Sequence, residues 1–134
     1  MIRKIEHIGI AVKDMEKARK TYEDLLDEEA YKVESVSSEG VDTLFFKTGE
    51  SKIELLSATQ DDSPIAKFIA KKGEGMHHIA FDVDDIEAEI NRLQEKGFQL
   101  LNKEPKNGAD NKLIAFLHPK SSHGVLVELC QDKN

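Results

Sequence analysis

Two stretches of the chain alternate bulky side chains with small or polar ones at a period of two. In Ile5-Glu6-His7-Ile8-Gly9-Ile10-Ala11-Val12, Ile8, Ile10 and Val12 share one parity, and His7, Gly9 and Ala11 share the other. In Met76-His77-His78-Ile79-Ala80-Phe81-Asp82-Val83, Ile79, Phe81 and Val83 oppose His78, Ala80 and Asp82. Such alternation predicts strands with one face packed under a helix, the other small enough to leave room beside a histidine ring. The stretches align at an offset of 71 residues: His7 on His78, Val12 on Val83, Asp14 on Asp85, Met15 on Ile86. That offset is close to half of the 134 residues, so one module is written twice.

The rest of the pattern completes the modules. Asp14 caps a helix whose stripe is Met15, Ala18, Tyr22, Leu25 and Leu26. Residues 29–38, Val41 to Lys47 and Lys52 to Leu56 read as strands, with turns at Glu39-Gly40 and Gly49-Glu50. Ser63 and Pro64 start a connector helix that Lys71-Lys72-Gly73 ends. In the second half Ile86, Ile90 and Leu93 mark a helix stopping at Gly97, and Phe98 to Leu101 is a short strand. Pro105 to Asn111 is a loop, and Lys112 to Leu117 pairs with Val125 to Leu129. The expected fold is α+β: one domain over residues 1–134, built of two tandem βαβββ modules (about 4–58 and 75–131) and a helical connector (about 59–74). The modules are expected to pair into a curved mixed sheet with helices outside.

Each module ends on an apolar strand that carries one carboxylate, Ile53-Glu54-Leu55 and Val127-Glu128-Leu129. A charge there is costly to bury unless something compensates it. Each copy thus offers a histidine on its first strand and a glutamate on its last, 47 residues apart in one module and 50 in the other. One strand histidine alone is usually a hydrogen-bonded structural residue, and Glu54 could share a solvent-facing side with Lys52. Repetition of type, parity and spacing points instead to a divalent metal centre of His7, His78, Glu128 and Glu54. Such a donor set suits Co²⁺, Zn²⁺, Mn²⁺, Ni²⁺ or Fe²⁺. His77, His118 and His123 read as structural, and nothing around Cys130 suggests an activated thiolate.

Composition narrows the function. A net charge of −7 argues against nucleic acid or an acidic membrane as partner. The single cysteine excludes an intrachain disulfide, and no apolar run approaches a membrane span, so a cytoplasmic location is expected. No P-loop, dinucleotide glycine motif or nucleophile elbow is present, and the N-terminal stretch Met1-Ile2-Arg3-Lys4-Ile5-Glu6-His7, which lacks an apolar core, is not expected to act as a signal peptide.

The doubled β-α-β-β-β with His…Glu and His…Glu resembles the vicinal oxygen chelate superfamily of glyoxalase I and the extradiol dioxygenases. The flanks are most similar to the methylmalonyl-CoA epimerase branch. Asp61-Asp62-Ser63-Pro64-Ile65-Ala66-Lys67-Phe68, Phe116-Leu117-His118-Pro119-Lys120 and Gly124-Val125-Leu126-Val127-Glu128-Leu129 carry the likeness. The resemblance implies a glyoxalase-like fold and one divalent ion held by His7, His78 and Glu128, with position 54 as a fourth ligand. It implies a small acyl-CoA substrate, a homodimer, and epimerisation of methylmalonyl-CoA at C2 by 1,1-proton transfer through a metal-stabilised enolate. Glu128 and Glu54 are then the acid–base pair. In some members a glutamate in the second-last strand of the first module is a proposed second base, and the matching position here is Thr43, which cannot serve. Lys67, Lys71, Lys72, Lys103, Lys106 and Lys120 are candidate partners for the coenzyme A phosphates. The alternatives are a glyoxalase I-type lyase acting on a thiol hemithioacetal and a metal-free ligand-binding module of the bleomycin-resistance type.

Overall fold

Strand β1 takes up the first alternating stretch as far as Ala11, running over Ile2–Ala11 in this computed structural model, which describes residues 1–133. Helix α1 (Met15–Leu26), β2 (Lys32–Val36), β3 (Val41–Thr48) and β4 (Ser51–Ala58) follow. Helix α2 (Pro64–Lys72) precedes β5 (Gly75–Val83), α3 (Ile86–Glu95), β6 (Lys106–Gly108), β7 (Lys112–Leu117) and β8 (Val127–Asp132). The architecture is α+β. Two compact units can be distinguished: Ile8–His77, and Met1–His7 together with the chain from His78 onward.

In the Ile8–His77 unit the strand order is β2-β3-β4-β1. The Asp14 carboxylate accepts from Lys17 N at 3.2 Å and starts α1. Met15, Ala18, Tyr22 and Leu26 pack on Leu44, Phe46, Ile53 and Leu55. Leu25, expected on that stripe, is exposed, because it lies a quarter-turn away from the Tyr22–Leu26 row. Ser63 caps α2, which packs Ile65, Phe68 and Ile69 against Ala11, Val41 and Leu56.

The other unit orders its strands β1-β5-β8-β7-β6. Strand β5 lies parallel to β8, with Ala80 opposite Glu128 and Asp82 opposite Cys130, while β7 and β6 continue antiparallel. The sheet is therefore mixed. Paired residues share a face, so His78, Ala80, Phe116, Glu128 and Cys130 lie on one side. Val83, Ala115, Leu117, Val127 and Leu129 lie buried on the other with Ile86, Ile90 and Leu93 of α3, and the half-buried Phe81 packs against them. Asp85 caps α3 as Asp14 caps α1, accepting from Ala88 N at 3.1 Å.

One stretch departs from the pattern. The expected strand at Phe98 to Leu101 is reduced to an isolated bridge from Leu100 to Leu117, and a strand forms within the expected loop, at Lys106–Gly108. Asp110 and Asn111 both adopt left-handed backbone and close a tight hairpin between Gly108 and Lys112. Gly108 is needed there, since a Cβ would come within 2.8 Å of the Ile114 side chain.

Candidate metal centre

The parallel pairing of β5 with β8 puts Glu128 next to Ala80, one step along the same face from His78. Ala80 has no side chain beyond Cβ, so the carboxylate and the imidazole have room to meet. His78 Nε2 lies 3.3 Å from Glu128 Oε1, and His7 Nε2 lies 3.7 Å from Glu128 Oε2. The two histidines, 71 residues apart, bring their Nε2 atoms within 2.9 Å of each other, rings edge to face at 5.0 Å. His7, His78 and Glu128 are 5, 7 and 6 % exposed. Their ligating atoms all lie within 4.8 Å of one another, a group that could hold a metal ion. Two imidazole nitrogens and a carboxylate oxygen, aimed at one point out of water, fit a borderline divalent cation.

The surroundings tune this cluster. Burial pushes the Glu128 carboxyl above the ordinary carboxylate range. The charge of His7 opposes that rise, Glu6 adds to it, and Lys106 and Lys112 weakly oppose it. Phe116 meets the His78 ring edge to face at 6.1 Å, with the Lys106 ammonium over its ring at 5.8 Å. Lys106 thus stands beside the cluster, a more specific place than the general coenzyme A role expected of it.

Glu54, the other carboxylate of the sequence pattern, lies on β4 in the Ile8–His77 unit. It is 4 % exposed, so it does not share a solvent face with Lys52. Its register partner is Phe45, and Thr43 and Leu56 sit one step along the same face, all buried. The remaining histidines have structural surroundings. His77 packs edge to face on Phe68 at 4.9 Å, where burial lowers its pKa. His118 Nδ1 accepts from Lys120 N at 3.0 Å, and His123 takes left-handed backbone at a turn.

Two residues that the sequence pattern does not single out join the cluster. Glu6 is buried, and its Oε1 lies 2.8 Å from His7 Nδ1. Lys112, also buried, reaches Glu6 Oε2 at 3.8 Å and pairs with Asp132. The sequence does carry one signal for Glu6: it occupies the parity of Ile8, Ile10 and Val12, where a carboxylate has no reason to sit unless something holds it. Burial of both Glu6 and His7 breaks the alternation of β1 at the cluster.

Residues 6–116 match the model of the Glyoxalase/Bleomycin resistance protein/Dioxygenase superfamily. The mitochondrial methylmalonyl-CoA epimerase of Homo sapiens is 43 % identical over 129 residues, 96 % of this chain and 73 % of that protein. An ethylmalonyl-CoA/methylmalonyl-CoA epimerase of Cereibacter sphaeroides is 42 % identical over 133 residues, 98 % of this chain and 99 % of that one. A variant of Streptomyces coelicolor methylmalonyl-CoA epimerase, solved with 2-nitronate-propionyl-CoA, superposes with a TM-score of 0.92 at 36 % identity. That match covers 98 % of this chain and 96 % of the other. The α+β fold is thus the glyoxalase-like one. No helix among the described residues is long and apolar enough to cross a membrane.

Proposed function

The chain belongs to the Glyoxalase/Bleomycin resistance protein/Dioxygenase superfamily, and within it we propose that it interconverts the two C2 epimers of methylmalonyl-CoA. The observation that carries the reading is the buried His7–His78–Glu128 cluster, in a chain similar over nearly its whole length to proteins named for that reaction. His7, His78 and Glu128 would hold one divalent ion, Co²⁺, Zn²⁺, Mn²⁺ or Ni²⁺, with Glu54 the proposed fourth ligand. When bound, the ion supplies Lewis-acid stabilisation of negative charge on the thioester and carboxylate oxygens of the substrate.

The protein's own groups must then move one proton. C2 lies between a thioester carbonyl and a carboxylate, so losing its proton gives a planar enolate. Inversion requires the proton to leave one face and return to the other, and hence two groups. Glu128 is the proposed first carboxylate, the one that the last strand of the second module carries. Glu54 is the proposed second, because it is a buried carboxylate and Thr43 has no usable basicity. A cytoplasmic location and a homodimer complete the reading, carried by composition and family resemblance.

The test is proton NMR of a single methylmalonyl-CoA epimer in D₂O, with metal-loaded protein and with a chelator-treated control. Metal-dependent deuterium wash-in at C2, with formation of the other epimer, is the expected result. No exchange from protein shown to hold metal overturns the assignment, and turnover of methylglyoxal with a thiol would identify a glyoxalase I-type lyase instead.

A further inference from the structure

We propose that Glu6 is a positioning residue that sets the tautomer of His7, and that Lys112, braced by Asp132, holds Glu6 in place. The proposal rests on the metal-centre reading above and deepens it. His7 presents its two ring nitrogens to different partners. Nε2 faces His78 and Glu128, and Nδ1 faces Glu6 Oε1 at 2.8 Å. A carboxylate can only accept, so Nδ1 carries the proton and donates it to Glu6. In the neutral ring Nε2 is then a bare lone pair aimed at the cluster, the form a metal ion requires. Free imidazole side chains favour the opposite tautomer, so this preference has to be imposed.

The same geometry makes the two histidines unequal. With His7 Nε2 an acceptor, the 2.9 Å contact between the rings makes His78 Nε2 the donor. In metal-free protein His7 is set to bind an ion, whereas His78 must first move its ring proton from Nε2 to Nδ1, a tautomer shift with no net proton release.

Glu6, His7 and Cys130 also bring ligating atoms within 4.8 Å of one another, which raises a second ion site on the far side of His7 as the competing explanation. Two features argue against it. The Lys112 ammonium, 3.8 Å from Glu6 Oε2, already supplies a cation at that carboxylate. The Cys130 thiol is buried, and its Sγ donates to Phe81 O at 3.5 Å. Glu6 therefore serves as an outer partner of the His7 ligand.

Long-range ¹H–¹⁵N NMR on metal-free protein, at a pH where the rings are neutral, reads the tautomers directly. Wild type is expected to show His7 protonated at Nδ1 and His78 at Nε2. Glu6→Gln, which still presents an acceptor oxygen, should keep the His7 tautomer, and Glu6→Leu should lose it. Calorimetric titration with Co²⁺ should show affinity falling about 10- to 100-fold in Glu6→Leu and recovering most of the way in Glu6→Gln. His7 protonated at Nε2 in the wild type overturns the proposal without any variant. A second equivalent of Co²⁺ with a thiolate charge-transfer band, abolished by Cys130→Ser, overturns it in favour of the second site. If wild type takes up no Co²⁺ at all, the metal-centre reading falls, while the tautomer measurement still decides the role of Glu6.

Discussion

Replacing Glu128 by Gln separates the cost of the cluster from its use. The carboxylate is buried beside two imidazoles, and burial disfavours its charge. Without a bound ion, a neutral amide of the same shape should leave stability unchanged or raise it, because burial already disfavours the charge that the amide lacks. With an ion the balance reverses. An ion at a hundred times its dissociation constant stabilises the native state by about 2.7 kcal/mol. For a chain of this length that is a rise in Tm of roughly 10 °C. Glu128 supplies the one formal negative charge among His7, His78 and itself, so its loss should weaken binding by at least the roughly 100-fold that losing an outer partner can cost. At the same ion concentration the variant then gains only about 0.4 kcal/mol, a shift of about 2 °C. Thermal melts of both proteins, in EDTA and in excess Co²⁺, measure all four numbers. The expected pattern is a variant at least as stable as wild type in EDTA and nearly unresponsive to Co²⁺. A variant that keeps the full Co²⁺ shift would refute the reasoning, because the ion would then be held without the Glu128 charge.

Glu54→Gln should abolish deuterium wash-in at C2 for one epimer while leaving it for the other; near-normal turnover would remove Glu54 from the acid–base role. Cys130 is buried, and burial, reinforced by Glu128 and Glu6, pushes its thiol far up, so thiol reagents should label it slowly in native protein and rapidly in denaturant. Fast native labelling would contradict the packing described. Glu89 lies in the first turn of α3 with its carboxyl held low, chiefly by the hydrogen bond from Arg92. A depressed acid stabilises the fold above its ordinary pKa of 4.5 and loses that contribution as pH falls through the lowered value. Urea melts should therefore show Glu89→Gln less stable than wild type at neutral pH, with the difference closing in acid; a constant difference down to pH values well below that range would rule out the linkage.

Local chemistry makes part of this protein legible in its sequence. The offset of 71 residues places His7 and His78 at equivalent points of two strands, because a period of two assigns faces without knowledge of neighbours. Asp14 and Ser63 announce their helices because capping is decided within a few residues. The β6 hairpin escapes the pattern because its signal is conformational: two consecutive left-handed residues, Asp110 and Asn111, rather than a run of strand formers. Glu6 and Lys112 escape it for a different reason. Whether a charge on a strand is solvated or buried depends on which partner arrives from elsewhere in the chain, and Lys112 comes from 106 residues away. The meeting of His78 with Glu128 likewise follows from the parallel register of β5 on β8, which sets Ala80 beside the carboxylate. Sequence alone determined the types of donor and their strand faces. Tertiary structure decided which donors converge, since convergence depends on register between strands distant along the chain, and side-chain periodicity carries no information about it.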